Sequence, residues 1–331
     1  MSRISKYLFI VLQLAVLTGC SESAEPLPSA EGMPVVFSMD FGVKTRSTLD
    51  NIWPNNTRIA ISKGSGDILS YYTPANSASA NSGEAITLSA DASNMLSWPS
   101  TNPNWQFTAW YPYAATAPSG ITVANDQSTI DNDTYWGYDI MYAPTVSDIY
   151  QATVPLKFYH QMARVVVVVN TDNTPYKEQV TSVTFGEGTK DISITGTLTP
   201  GVTGGATGTA AVWTPTAATN SYITMRKTST NAEEESHIYT YECMLPPQSG
   251  GSSSTNLLTI KTSGHIDEQE GAKDRTYVYS ASYDLQAGYQ TNYYITCKDG
   301  SVIIIITSTV AGWNPTTITE QGGATVPDNN Y

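Results

Sequence analysis

Side chains that could do chemistry are sparse in this 331-residue sequence. Its three histidines, His160, His237 and His265, show no pair at metal-ligand spacing, so a zinc centre is not expected. Asp131-Asn132-Asp133 has the start of a calcium-loop spacing but no later Gly and Glu in register, which leaves calcium a minor reading. No Gly-x-Ser-x-Gly elbow and no glycine-rich phosphate loop with its Lys occurs. Neither an enzyme nor a cofactor is therefore expected. Cys243 and Cys297 each lie on an expected strand, and the sequence leaves both a disulfide and two free thiols open. The chemistry the sequence does offer is chemistry done to it. Arg46, in Lys44-Thr45-Arg46-Ser47-Thr48, is a basic residue among small polar ones, the composition of an exposed tip that a protease cuts between Arg46 and Ser47.

The second modifiable residue is Cys20. Arg3 and Lys6 precede an apolar run, 7–16, that is too short to cross and stay in a bilayer and that ends in Leu17-Thr18-Gly19-Cys20. This ending resembles the lipobox of bacterial lipoproteins, in which the Cys thiol receives a diacylglycerol and the chain is cut just before it. Residues 1–19 then form a signal peptide, Cys20 is the lipidated first residue, and the polar, Pro-containing segment 20–32 is a tether.

The element that leads up to Arg46 is the clearest strand in the sequence. Val35, Phe37, Met39, Phe41 and Val43 occupy every second position, which places all five on one face. The opposite face, from Pro34 to Lys44, is mixed. A half-buried strand that fills a core is thus followed directly by a protease site.

Composition frames the rest. The 16 basic and 29 acidic side chains give a net charge of −13, which argues against nucleic acid and anionic lipid as partners, both of which need clustered Lys and Arg. Charged residues are only 14% of the chain, and abundant Thr, Ser, Asn, Gly and Tyr favour strands joined by turns over long helices. The expected class is all-β, with strands near 57–63, 84–90, 105–111, 151–159 and 161–169. Residues 165–169 are consecutive valines, expected in a central strand buried on both faces. The polar segment 170–175 marks a domain boundary, giving an N-terminal unit 33–172 and a C-terminal unit 173–331. Eight further strands are expected from 179 to 310, with antiparallel pairing in both units. After Trp313 a weakly alternating tail, 314–331, carries Ile318, Ala324 and Val326.

Four stretches taken together resemble the fimbrillin (Mfa-like) family of Bacteroidetes lipoproteins. They are the aromatic strand 105–113 ending in Tyr111-Pro112-Tyr113, the segment 138–143 from Tyr138-Asp139 to Ala143, the strand 154–164 with Leu156, Phe158, His160 and Ala163, and the pair 285–288 and 303–313 ending in Trp313. The resemblance implies two transthyretin-like, Ig-like antiparallel β-sandwiches in a subunit of a type V pilus. It also implies a lipid-anchored precursor at the outer membrane, cut by a trypsin-like, Arg-specific surface protease. In that family the first strand, here 33–46, is removed and an extended segment of a neighbouring pilin subunit refills the groove. By position Arg46 matches the family's cleavage Arg, whereas Arg58 lies inside an expected strand. The tail 314–331 is the expected donor segment, with Ile318, Ala324 and Val326 filling pockets. The product is an extracellular fimbrium serving adhesion.

A rival reading comes from the aromatic-rich span 98–113 together with Tyr135, Trp136 and Tyr138, because exposed aromatic faces stack on sugar rings. On that reading the chain is a surface glycan-binding lipoprotein.

Overall fold

The computed structural model describes residues 31–41, 53, 55–64, 66–76, 85–99, 105–147, 150, 153–171, 178–188, 191–203, 206–216, 221–252, 256–267, 271–298, 301–310, 314–317 and 321–325. These form a mostly β structure of several sheets. Alternating β-branched and aromatic residues account for the strands, and Gly, Asn and Ser for the turns between them.

The first sheet has eight strands in the order Ile86–Thr87, Val36–Phe41, Thr153–His160, Met141–Val146, Phe107–Tyr111, Arg58–Lys63, Asp67–Tyr72 and Ser89–Ala90. Its two outermost strands are neighbours in sequence, separated by Leu88 alone. One short segment therefore pairs with both edges, through Met39–Ile86 on one side and Tyr71–Ala90 on the other, and curls the sheet into a nearly closed barrel. Leu88 points inward and is buried.

The second sheet runs Arg226–Lys227, Ile238–Leu245, Ala163–Asn170, Tyr289–Lys298, Ser301–Val310 and Asn314–Thr317, with Gln321–Thr325 also paired to Ser301–Val310. A four-stranded sheet containing Gln179–Phe185 and Asn256–Asp267 contributes to the same core.

Not every pairing is antiparallel. Val36–Phe41 runs parallel to Thr153–His160, and Ala163–Asn170 runs parallel to Tyr289–Lys298. Side-chain alternation says which face of a strand is buried and nothing about its neighbour's direction, and more than a hundred intervening residues leave ample chain for a crossover. The valine strand is central, as expected, between Ile238–Leu245 and Tyr289–Lys298. Val165, Val167 and Val169 are buried while Val166 and Val168 are only half-buried, so one face is core and the other partly open.

The cores change over at Gln161, ahead of the boundary expected at 172–173. Leu156 and Phe158 belong to the first core, and Met162, Ala163 and Val165 to the second, as do Val123, Tyr135 and Ile140 from earlier in the chain. At the changeover the Gln161 amide accepts from Gly201 N–H (3.1 Å) and donates to the carbonyls of Tyr159 (2.8 Å) and Gly201 (2.9 Å). Gly288 closes over it with φ 74°, where a Cβ would sit 2.5 Å from Thr203 Oγ1.

Asp131 is a helix cap. Its carboxylate accepts from Thr134 N–H (2.7 Å) at the start of the helix Asn132–Gly137, which holds the carboxyl below its ordinary range. Asp, Asn and Thr at this spacing served an N-terminus, the other use of the same residue types. Among the described residues no group of His, Cys, Asp and Glu could hold a metal ion.

Candidate functional site: the first strand and its seat

From Val35 to Met39 the alternation read in the sequence is the packing observed. Val35, Phe37 and Met39 are buried, with Phe37 completely so, while Val36, Ser38 and Asp40 on the other face are half-buried. Burying three such side chains is worth roughly 5–9 kcal/mol of apolar transfer free energy. Phe41 is half-buried and packs on the same core. Val43, Arg46 and Ser47 lie outside the described residues, as does Cys20.

The strand is held on both sides. In parallel register Phe37 lies beside Val154, Met39 beside Leu156 and Phe41 beside Phe158. On the other side its partners come in pieces: Phe37 C=O accepts from Leu88 N–H (2.8 Å), Val35 N–H donates to Leu96 C=O (2.8 Å), and Met33 C=O accepts from Trp98 N–H (3.0 Å). One neighbour is a continuous strand and the other a broken strip.

Beneath the strand the seat is aromatic. Phe37 stands edge-on to Tyr71 and to Phe107, both with ring centroids at 4.9 Å. Phe41 lies flat against Trp53 (5.6 Å, 15° between planes) and against His160 (5.7 Å, 9°). Trp53 in turn meets Phe158 and Tyr111 edge-on. The His160 imidazole is buried, and its Nδ1 lies 2.8 Å from the Asp139 carboxylate. Burial pushes the Tyr71 hydroxyl up to about 12, and burial followed by the charges of Asp139 and Asp133 does the same to Tyr111.

Sequence reading located the strand but not the walls of its seat. Trp53 stands in a polar stretch just past Arg46, and a lone large aromatic in such a stretch was the signal available. The closing segment around Leu88 carried no such signal.

The tail is seated as well. Asn314–Thr317 is a separate strand that pairs antiparallel with Thr307–Val310, Pro315 lying opposite Thr309. Pro is tolerated there because this is an edge position. Ala324 lies opposite Val302 in the Gln321–Thr325 strand, whereas Ile318 and Val326 lie outside the described residues.

Cys243 and Cys297 are free and buried. Cys243 is opposite Val165, while Cys297 follows Thr296, which is opposite Asn170 on the other side of the same strand. An intervening strand and about six residues along it, roughly 20 Å, separate the thiols, well beyond disulfide reach. Burial pushes the Cys297 thiol up to about 12 and raises that of Cys243 further.

The aromatic span offered to sugars is largely interior. Trp98, Trp110 and Tyr135 are buried. Trp105 stacks on Trp98 (5.3 Å) under the Lys63 ammonium, Tyr113 lies under the Arg58 guanidinium (3.5 Å), Trp136 faces Arg164, and the Tyr138 hydroxyl accepts from Ala124 N–H.

The fimbrillin-like family matches residues 45–313, four-fifths of the sequence. The chain belongs to the fimbrillin-like family. This is a structural family and not a family of enzymes. No curated protein matches the chain. Among solved structures, the fimbrillin-like chain is similar to a protein of Bacteroides uniformis ATCC 8492 provisionally named for cell adhesion, at 18% identity and a TM-score of 0.54, over 85% of this chain and 98% of that one. It is similar to a counterpart from Bacteroides ovatus ATCC 8483 at 15% identity and a TM-score of 0.53, over 88% and 100% of the two chains. The likeness to both is one of fold. The matched family span begins one residue before Arg46 and stops at Trp313, leaving out the Val36–Phe41 strand and the tail.

Proposed function

We propose that the chain is a structural subunit of a cell-surface pilus, delivered as a precursor and assembled by exchanging its first strand. The observation that carries this reading is the seat of Val36–Phe41, an inner strand of a nearly closed barrel whose side chains are core but whose continuation reaches Arg46 and Ser47. A cut after Arg46 severs the strand from the chain, and an extended segment of a neighbouring subunit takes its place, main-chain hydrogen bonds supplying affinity and side-chain pockets specificity. Two β-sandwich units of transthyretin-like form, one around each core, carry the groove and the tail. Cys20 anchors the precursor in the outer membrane through its acyl chains, a surface Arg-specific protease makes the cut, and the tail 314–331, with Ile318, Ala324 and Val326, serves as a donor segment. The fibre's role is adhesion.

The experiment is Arg46→Ala. The variant is expected to reach the surface, keep Cys20 as its N-terminus and stay monomeric, because the groove stays filled. Fibres built from this variant with the first strand retained would show that exchange of the strand is not how the subunit assembles. Glycan binding is the less favoured reading, because Trp98, Trp110 and Tyr135 of the aromatic span are buried and Trp105, Tyr113 and Trp136 carry cations on their rings.

A further inference from the structure

The groove's pockets describe what must refill them. Phe37, Met39 and Phe41 are consecutive same-face positions, each large, with a ring at the first and third. The first ring is clamped edge-on between Tyr71 and Phe107, and the third lies flat on Trp53 and His160. All four of these walls lie outside the strand and remain when it leaves. Between the rings Met39 is buried, in register with Leu156. Such walls are shaped for planar groups, and small aliphatic side chains would leave the clamps unfilled.

The chain's own tail does not carry that pattern. From 314 to 331 the sequence is Asn-Pro-Thr-Thr-Ile-Thr-Glu-Gln-Gly-Gly-Ala-Thr-Val-Pro-Asp-Asn-Asn-Tyr, with a single aromatic at its last position. Every run of three same-face positions within it contains at most one of Ile318, Val326 and Tyr331. Ile318 is flanked on its face by Thr316 and Glu320, and Val326 by Ala324 and Asp328.

We infer that the groove of this subunit takes its replacement strand from a different kind of subunit, one whose exchange segment carries aromatic residues at i and i+4 with a large flexible apolar residue between. The segment runs parallel to Thr153–His160, as the first strand does. The tail of this chain then serves a groove with smaller pockets, and the joint at this subunit is a mixed one. The inference rests on the reading that the first strand is exchanged.

The test is a competition during cleavage, so that the groove is never vacant. The full chain is cut with an Arg-specific protease in the presence of equal amounts of three labelled peptides: residues 35–43, the natural tail 314–331, and the tail carrying Thr316→Phe and Glu320→Phe. The last recreates Phe-x-Ile-x-Phe in place of Phe-x-Met-x-Phe. Native mass spectrometry reads which peptide is retained. The 35–43 peptide and the substituted tail are expected to exceed the natural tail by at least about tenfold. A natural tail retained as well as the 35–43 peptide, or a substituted tail that gains nothing, would overturn the aromatic specificity while leaving strand exchange standing. Retention of none of the peptides by a folded protein that has been cut and has released its own first strand would overturn strand exchange itself, and this inference with it.

Discussion

Phe41 and Trp53, on opposite sides of Arg46 in sequence, are stacked face to face, with ring centroids 5.6 Å apart and planes 15° from parallel. A cut after Arg46 therefore opens the covalent chain without opening this contact. Cleavage and release are expected to be separate steps. The nicked protein should keep its first strand through gel filtration, and Phe41→Ala should let the strand dissociate markedly faster. Immediate loss of the strand from the nicked wild-type protein would contradict this.

Phe37 sits deeper, with no exposed surface and a ring on two sides. Phe37→Ala is expected to destabilise the uncut protein by about 3–5 kcal/mol, from lost apolar burial and the cavity left behind. Denaturant unfolding measures it. A loss below about 1 kcal/mol would mean that the strand is not part of the first core.

High pH should weaken the seat. Tyrosine is charged when deprotonated and burial opposes the charge, which is why Tyr71 and Tyr111 are pushed up to about 12 from 10.0. Between those values the unfolded chain has lost protons that the folded chain still holds. Stability is then complete below about pH 10 and falls as pH rises towards 12. Ultraviolet absorbance of tyrosinate, followed alongside unfolding, should show these two hydroxyls ionising with the loss of structure. Tyr71→Phe should reduce the effect.

The sequence carried the first strand almost completely, because Val35, Phe37, Met39 and Phe41 are a local pattern with a local meaning. It carried the family through motifs spread along the chain. What it could not carry were relations between distant segments: the parallel register of Met39 with Leu156, the closing of the barrel by Leu88, and the changeover of cores at Gln161. Asp131 shows a related ambiguity, since Asp-Asn-Asp suits a helix cap as well as an ion. Cys243 and Cys297 looked pairable while their strands were only names, and the strand between them decided otherwise.

Those two thiols should be unreactive in the native protein and both titratable once it is denatured without reductant, since burial keeps them protonated. A protein lacking the first 46 residues, and with them Cys20, should release two thiol equivalents on unfolding. Release of none would indicate a bridge.

Removing 316–331 should leave a folded chain that is cut normally after Arg46 and cannot donate to a neighbour. The strands lost with it, Gln321–Thr325 and half of Asn314–Thr317, lie at one edge of the second sheet, beyond Ser301–Val310. Its stability should accordingly change little, as read by thermal unfolding. Undiminished polymerisation of the truncated protein would place the donor elsewhere.

Because the segment around Leu88 pairs with both ends of the first sheet, the uncut barrel offers almost no free edge to a stray strand. Withdrawing Val36–Phe41 unseals Thr153–His160 and Ile86–Thr87 together, over an apolar trough. An opened subunit is thus sticky towards every extended chain nearby and keeps poorly in solution. If the first strand is exchanged as proposed, the sealed form is the one that can be stored, and opening is expected only where a replacement strand is at hand.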